Sequence, residues 1–219
     1  MPAPLALDPT RFADAVNELA RIDSDIARIV RSAGPPHLIK RPASLATLLL
    51  LILEQQVSLA SARATFARLK ALANPLTPET LMALDDAALR AAGLSRQKTR
   101  YVREIAREVL DGRLALGRLR RMDDDAVRAE LVRITGIGPW TADVYLLVAL
   151  GRPDIWPVGD MGLAAAVQDA KRLKRRPDPA RLMAIGEAYR PWRSVAARTF
   201  WHYYLTARGQ PPLSGRRIG

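Results

Sequence analysis

The sequence predicts an all-α protein. Apolar residues recur three and four positions apart through most of the 219 residues, alternating β-branched runs are scarce, and cap-type residues and prolines break the apolar stretches at helix-like lengths. These patterns predict helices over residues 11–20, 24–32, 44–54, 59–71, 77–84, 85–92, 95–110, 123–134, 139–150, 161–173, 179–188 and 192–207. Leu45 to Leu53 is apolar almost throughout and ends at Glu54, too short for a membrane span, so it reads as a core helix. Ser95 and Asp123 are N-cap types. Pro78 and Pro139 suit a first helical turn, where a missing N–H leaves nothing unpaired, and Pro177 to Pro179 mark a loop. The ends, before Asp8 and after Ala207, are expected to be loosely held, with Arg216 and Arg217 in a basic tail over 208–219.

Composition narrows the function. With 49% hydrophobic residues the chain can bury a substantial core, and 34 Lys plus Arg against 22 Asp plus Glu give a formal charge of +12. Such a charge favours a polyanionic partner, nucleic acid first and an anionic membrane surface second. The absence of cysteine excludes disulfides, thiolate zinc sites, a cysteine nucleophile and an iron–sulfur cluster. His37 and His202 are the only histidines, and neither has neighbours at ligand spacing. No leader-like segment opens the chain, so a cytoplasmic protein is expected.

The stretch "ITGIGPWTA", Ile134 to Ala142, packs two glycines, a proline and a tryptophan between helical segments. In the preceding "DDDAVRAELVRI", Val127, Leu131 and Ile134 share one helical face, and Asp123, Asp124 and Asp125 suit the first turn's dipole rather than a metal. The turn Gly136-Ile137-Gly138 would leave backbone N–H groups uncovered where the next helix begins, a seat for one phosphate. Nucleotide-binding loops fit badly, since Gly136-x-Gly138-x-x-Thr141 lacks a third glycine and no Lys-Ser/Thr pair follows. A plain connector remains an alternative. Asp160, in "WPVGDMGLAAAV", precedes an apolar-periodic helix: it reads as an N-cap, and a carboxylate there could also stabilise a developing cation. Aromatic residues make up 5% of the chain and concentrate in "YRPWRSVAARTFWHYY", where Ser194 and Ala197 share the face of Trp201 and could leave space beside its indole. Core packing is the other reading. In "LEQQVSLASA", Gln55 and Gln56 either end an apolar helix in solvent or offer an amide plug to DNA. Arg96, Lys98 and Arg100, and the cluster Lys171, Arg172, Lys174, Arg175 and Arg176, are candidates for backbone contact or a solvated charged face.

Taken in order, "LILEQQVSLASA", "AAGLSRQKTRYVREIA", "LVRITGIGPWTADVYLLVALGRPDIWPVGD" and "YRPWRSVAARTFW" resemble the helix-hairpin-helix (HhH-GPD) DNA glycosylase superfamily, and within it the 3-methyladenine DNA glycosylase II (AlkA-type) branch. The resemblance runs from about Asp23 to Tyr203. It implies a two-lobed all-α fold with the active site in the inter-lobe cleft, one lobe over about 44–150 carrying the hairpin 134–140, the other over about 8–43 plus 160–207. It implies Asp160 as the catalytic aspartate, and Trp140, Trp201 and Val144 at base-pocket positions, with Val144 where some members place a tyrosine. Gln56, beside Gln55, takes the place of the wedge that fills the gap left by a flipped nucleotide. Gly136, Ile137 and Gly138 would bind phosphate, and the main-chain carbonyls of Val132, Ile134 and Ile137 would hold a structural Na+ or K+. Members that cut the strand carry a lysine where Trp140 stands, so the resemblance implies base removal alone, with no catalytic cofactor and no iron–sulfur cluster. The chain is too short for the additional N-terminal β-containing domain of some members. The implied partner is double-stranded DNA containing damaged bases, with no membrane partner, bound by a monomer. A non-catalytic helix-hairpin-helix DNA-binding protein and a glycosylase of different lesion specificity are the alternatives.

Overall fold

The structure, a computed structural model, describes residues 5–210. Residues 211–219, which hold most of the tail expected over 208–219, lie outside the described residues. Among the described residues every regular element is a helix: α1 Pro9–Ile22, α2 Ser24–Ala33, α3 Leu45–Glu54, α4 Leu59–Leu72, α5 Pro78–Ala83, α6 Asp86–Ala91, α7 Arg96–Leu110, α8 Leu116–Leu119, α9 Asp124–Val132, α10 Pro139–Val148, α11 Met161–Ala170, α12 Pro179–Glu187 and α13 Arg193–Thr206. The chain divides into two compact units, one over Pro42–Tyr145 and the other over Leu5–Arg41 with the residues from Leu146 onward. No helix among the described residues is long and apolar enough to cross a membrane.

In the first unit α3 is the central helix. Its residues from Thr47 to Leu53 are all buried, and it packs against α4 and α7, as a helix apolar on every side must. Ser44 caps its start through Thr47 N–H at 3.4 Å. The charged α7 packs on α3, α5 and α6 through Val102, Ile105 and Ala106. Behind α7, the buried Glu108 carboxylate receives Arg113 Nε at 2.7 Å and lies 2.8 Å from Arg133 Nη1, tying α7 to the residue just before Ile134. The four-residue α8 has no side-chain cap, and nothing in its sequence announces it.

In the second unit α13 packs on α1, α2 and α11. Asp23 joins α1 to α2, closing the first with its backbone N–H on Leu19 O and capping the second through Asp25 and Ile26 N–H groups. Its other oxygen receives Lys171 Nζ at 2.7 Å and Tyr189 Oη at 2.8 Å. An aromatic core of Trp156, Tyr189 and Phe200 has ring centroids 5.7 to 6.3 Å apart, so much of the late aromatic cluster is packing. The buried Arg198 donates to Leu147 O near the end of α10 at 2.8 Å, and burial, with Arg41 nearby, holds its guanidinium pKa down to about 9. His37 and His202, separate in sequence, meet edge to face at 6.3 Å, with His202 Nε2 2.9 Å from Ala33 O.

Candidate functional site

The hairpin belongs to the first unit. α9 begins at its N-cap Asp123, which accepts from Ala126 N–H at 2.8 Å, and Arg128 staples α9 to α10 through Asp143 at 2.6 Å. Asp125 pairs with the same arginine, so the aspartate run serves the helix start. Between α9 and α10 the chain turns tightly: Ile134 N–H donates to Leu131 O and Ile137 N–H to Ile134 O, while the Ile134 and Ile137 side chains are buried and anchor the turn. Apolar anchors below leave the glycine backbone near the surface.

The two glycines are required for different reasons. Gly136 has φ +98°, and a Cβ there would lie 2.3 Å from the ring of Tyr101, whose hydroxyl Gln97 holds at 2.5 Å. Both facts exclude a side chain. A Cβ on Gly138 would meet nothing within 4 Å, and its φ lies outside the left-handed region. Nothing inside the protein demands glycine there; what Gly138 leaves is open room above the turn, where the backbone can be approached closely.

The Gln55-Gln56 pair separates into two roles. Gln55 Nε2 donates to Gly136 O at 3.0 Å and to the buried Thr141 Oγ1 at 2.9 Å, so its amide is engaged inside the unit. Gln55 is therefore a brace on the hairpin, a correction to its reading as part of a wedge. Gln56 is exposed with φ +57°, a left-handed conformation unusual for glutamine. Lys98, expected as a backbone contact, instead donates to Leu53 O at 2.7 Å and Gln55 O at 2.9 Å, closing the end of α3; burial lowers its pKa. Arg100 lies over the Tyr101 ring at 5.6 Å, and Arg96 is exposed. Val57, next to Gln56, is exposed, and Tyr101 lies against Gly136 through a contact that no local sequence pattern announces.

Trp140 is half-buried at the start of α10, and Val144, four residues on in the same helix, is 8% exposed. In the second unit α13 holds the segment that leads to Asp160. Arg193 makes a two-point ion pair with Asp154, its Nε 2.8 Å from Oδ1 and its Nη2 3.0 Å from Oδ2. Ser194 Oγ accepts from Ile155 N–H at 2.9 Å. Ser194 and Ala197 are fully buried, so they pack the core rather than open a space beside Trp201. Two turns further along α13, Trp201 Nε1 donates to Asp160 Oδ1 at 3.0 Å. The same oxygen accepts Leu163 N–H at 2.6 Å, so Asp160 is the N-cap of α11. Two N–H donors and a helix N-terminus converge on this half-buried carboxylate. Met161, 72% exposed, follows it directly. Among the described residues no group of three or more His, Cys, Asp or Glu is placed to hold a metal ion.

Comparison with known proteins gives concordant results. Residues 49–191 match the family described as HhH-GPD superfamily base excision DNA repair protein. The 3-methyladenine DNA glycosylase of Schizosaccharomyces pombe, solved in complex with abasic DNA, superposes with a TM-score of 0.77 at 25% identity, over 89% of this chain and 97% of that one. A DNA-3-methyladenine glycosidase from Bacillus halodurans gives 0.75 at 31% identity, over 94% of each. YfjP of Bacillus subtilis is 34% identical over 124 residues, which span 57% of this chain but 43% of YfjP.

Proposed function

Since the chain belongs to the HhH-GPD superfamily of base excision DNA repair proteins, we propose that it is a monofunctional DNA glycosylase that removes alkylated bases of the 3-methyladenine class and leaves an abasic site. The observation that carries this reading is Asp160, which caps α11 and receives the Trp201 indole N–H at 3.0 Å. The reaction needs the damaged nucleotide rotated out of the duplex, at a few kcal/mol of lost stacking. Gln56 is assigned to the vacated stack, and the Gly136-Ile137-Gly138 turn to a backbone phosphate beside it. Trp140, Trp201 and Val144 are assigned to base recognition. An indole face attracts a cationic base by about 0.5–2 kcal/mol, which an unmodified purine does not gain.

The positive charge of an N3-alkylated purine makes it a good leaving group, so the bond from C1′ to the base nitrogen breaks with its electron pair going to the base. The sugar becomes oxocarbenium-like, Asp160 stabilises it, and water adds to C1′ as the carboxylate orients it and draws off its proton. Trp140 stands where strand-cutting members carry lysine, so no covalent imine with the sugar forms. Main-chain carbonyls of Val132, Ile134 and Ile137 are neutral hard donors, suited to a Na+ or K+ that would stiffen the turn without entering the chemistry. DNA in the cytoplasm is the assigned setting, with a monomer acting on it.

The test is a panel of duplexes, each carrying one methylated base, incubated with the protein and with Asp160→Asn. The wild-type protein should release free base and leave sites that break only after alkali. Asparagine can still cap α11, so the variant should fold and bind DNA while excision falls by about 10²-fold or more. Near wild-type excision by Asp160→Asn removes Asp160 from the chemistry, and strand breaks before alkali reassign the protein to the lyases.

A further inference from the structure

Among the described residues only two other than glycine adopt positive φ, Gln56 at 57° and Arg172 at 53°. The first is the residue assigned to the emptied base stack; the second has no place in that reaction. Arg172 follows α11 in a Schellman turn, its own N–H donating to Asp169 O at 3.1 Å and the Leu173 N–H to Gln168 O at 2.8 Å. The left-handed position of that turn belongs by preference to glycine, because a Cβ there crowds the backbone. This chain follows the preference elsewhere: Gly93 after α6 has φ +97° and Gly112 after α7 has φ +71°. After α11 it keeps an arginine in the strained conformation.

The arginine opens a run of exposed cations. Arg172, Lys174, Arg175 and Arg176 are all exposed, and none forms a side-chain hydrogen bond or ion pair among the described residues. The acids around them are engaged: Asp23 and Asp25 with Lys171, Asp169 with the Tyr203 hydroxyl, and Asp178 as the cap of α12. Other arginines among the described residues are treated differently: Arg11, Arg103, Arg107, Arg113, Arg128, Arg190 and Arg193 each face a carboxylate within 4 Å. The run closes the C-terminal end of α11, ten residues from Asp160, or about 15 Å along the helix.

We propose that Arg172, Lys174, Arg175 and Arg176 form a second contact for duplex DNA, one that holds backbone phosphates without reading bases and is separate from the Gly136–Gly138 turn. The proposal rests on the reading of the protein as a DNA enzyme. Four unneutralised charges on one short turn fit a polyanion with regular charge spacing, and each phosphate neutralised releases a counterion, so the contact has a salt signature.

The test measures binding of the full chain to a lesion-free duplex by fluorescence anisotropy over a range of salt concentrations. In Lys174→Gln/Arg175→Gln/Arg176→Gln the slope of log Kd against log salt should shrink by about 2 to 3, whereas Arg11→Gln/Arg103→Gln/Arg107→Gln should keep the wild-type slope. Arg172→Gly should lower the slope by about 1 while its melting temperature stays level or rises, which separates lost contact from lost fold. An unchanged slope in the first variant overturns the proposal, as does an equal drop in the control. Vesicles rich in phosphatidylglycerol supply a further arm: if the first variant loses vesicle binding but keeps its duplex slope, the turn is a membrane contact and the DNA assignment falls. Failure of the wild-type protein to release methylated base, with the slope change intact, would overturn the proposed reaction and leave this contact standing.

Discussion

Gly136 and Gly138 stand two positions apart in one turn, yet alanine at each should fail in a different assay. At Gly136 the new methyl meets the Tyr101 ring and a φ of +98°, so Gly136→Ala should lower unfolding stability by at least about 2 kcal/mol in urea titration. At Gly138 the methyl points into open space; Gly138→Ala should keep the wild-type midpoint and weaken DNA binding, measured by anisotropy. Trp201 makes a similar separation of roles. Its indole N–H reaches Asp160 at 3.0 Å, and Trp201→Phe keeps an aromatic face without the donor. We expect a fall of about 10-fold in single-turnover excision, the equivalent of one hydrogen bond to a charged group, with the melting temperature nearly unchanged. Asp160 and Asp123 were legible as caps because capping is chemistry among neighbours. Gln55's role was not, since its partners lie 81 and 86 positions away.

At the scale of elements, most helix positions followed from periodicity; α8 did not, and two helix ends were overrun where a turn continues the apolar spacing. Ile134 extends the pattern of α9 and is buried, but its N–H already bonds three residues back, and the helix closes at Val132. Leu173 extends α11 in the same way from beyond the Schellman turn at Arg172. Periodicity registers burial and is blind to the sign of φ. The link between elements was equally invisible. Gln55 ends α3 and holds Gly136 and Thr141, while Lys98 of α7 holds the carbonyls of Leu53 and Gln55. In this geometry the exposed Gln56 and the hairpin turn belong to one braced piece. Gln55→Met preserves the length of the side chain and removes both donors, and should cost about 1–2 kcal/mol of stability. It should also slow base flipping, read as a smaller 2-aminopurine fluorescence change beside the lesion.

At the scale of the molecule, the excess of basic charge pointed to a polyanion before any residue was placed, and the structure shows which cations are taken up internally. Lys171, grouped in sequence with its exposed neighbours, pairs with Asp23. Burial alone would raise the Asp23 carboxyl; hydrogen bonds from Lys171, the Ile26 N–H and Tyr189 outweigh it and hold the pKa below the ordinary 3.8. A depressed carboxylate stabilises the fold above its unfolded value, and that contribution disappears as pH falls through the folded value. Asp23→Asn keeps a capping side chain, so at pH 6 it should lose about 1–2 kcal/mol, and the gap to wild type in urea midpoints should close below about pH 4.

Arg172 carries a consequence for anyone improving this protein. A screen that rewards heat resistance alone favours glycine at that left-handed position, and its winners would be sturdier proteins that let go of their substrate more readily in salt. Durability and grip are set against each other at one residue, and this sequence has kept the grip.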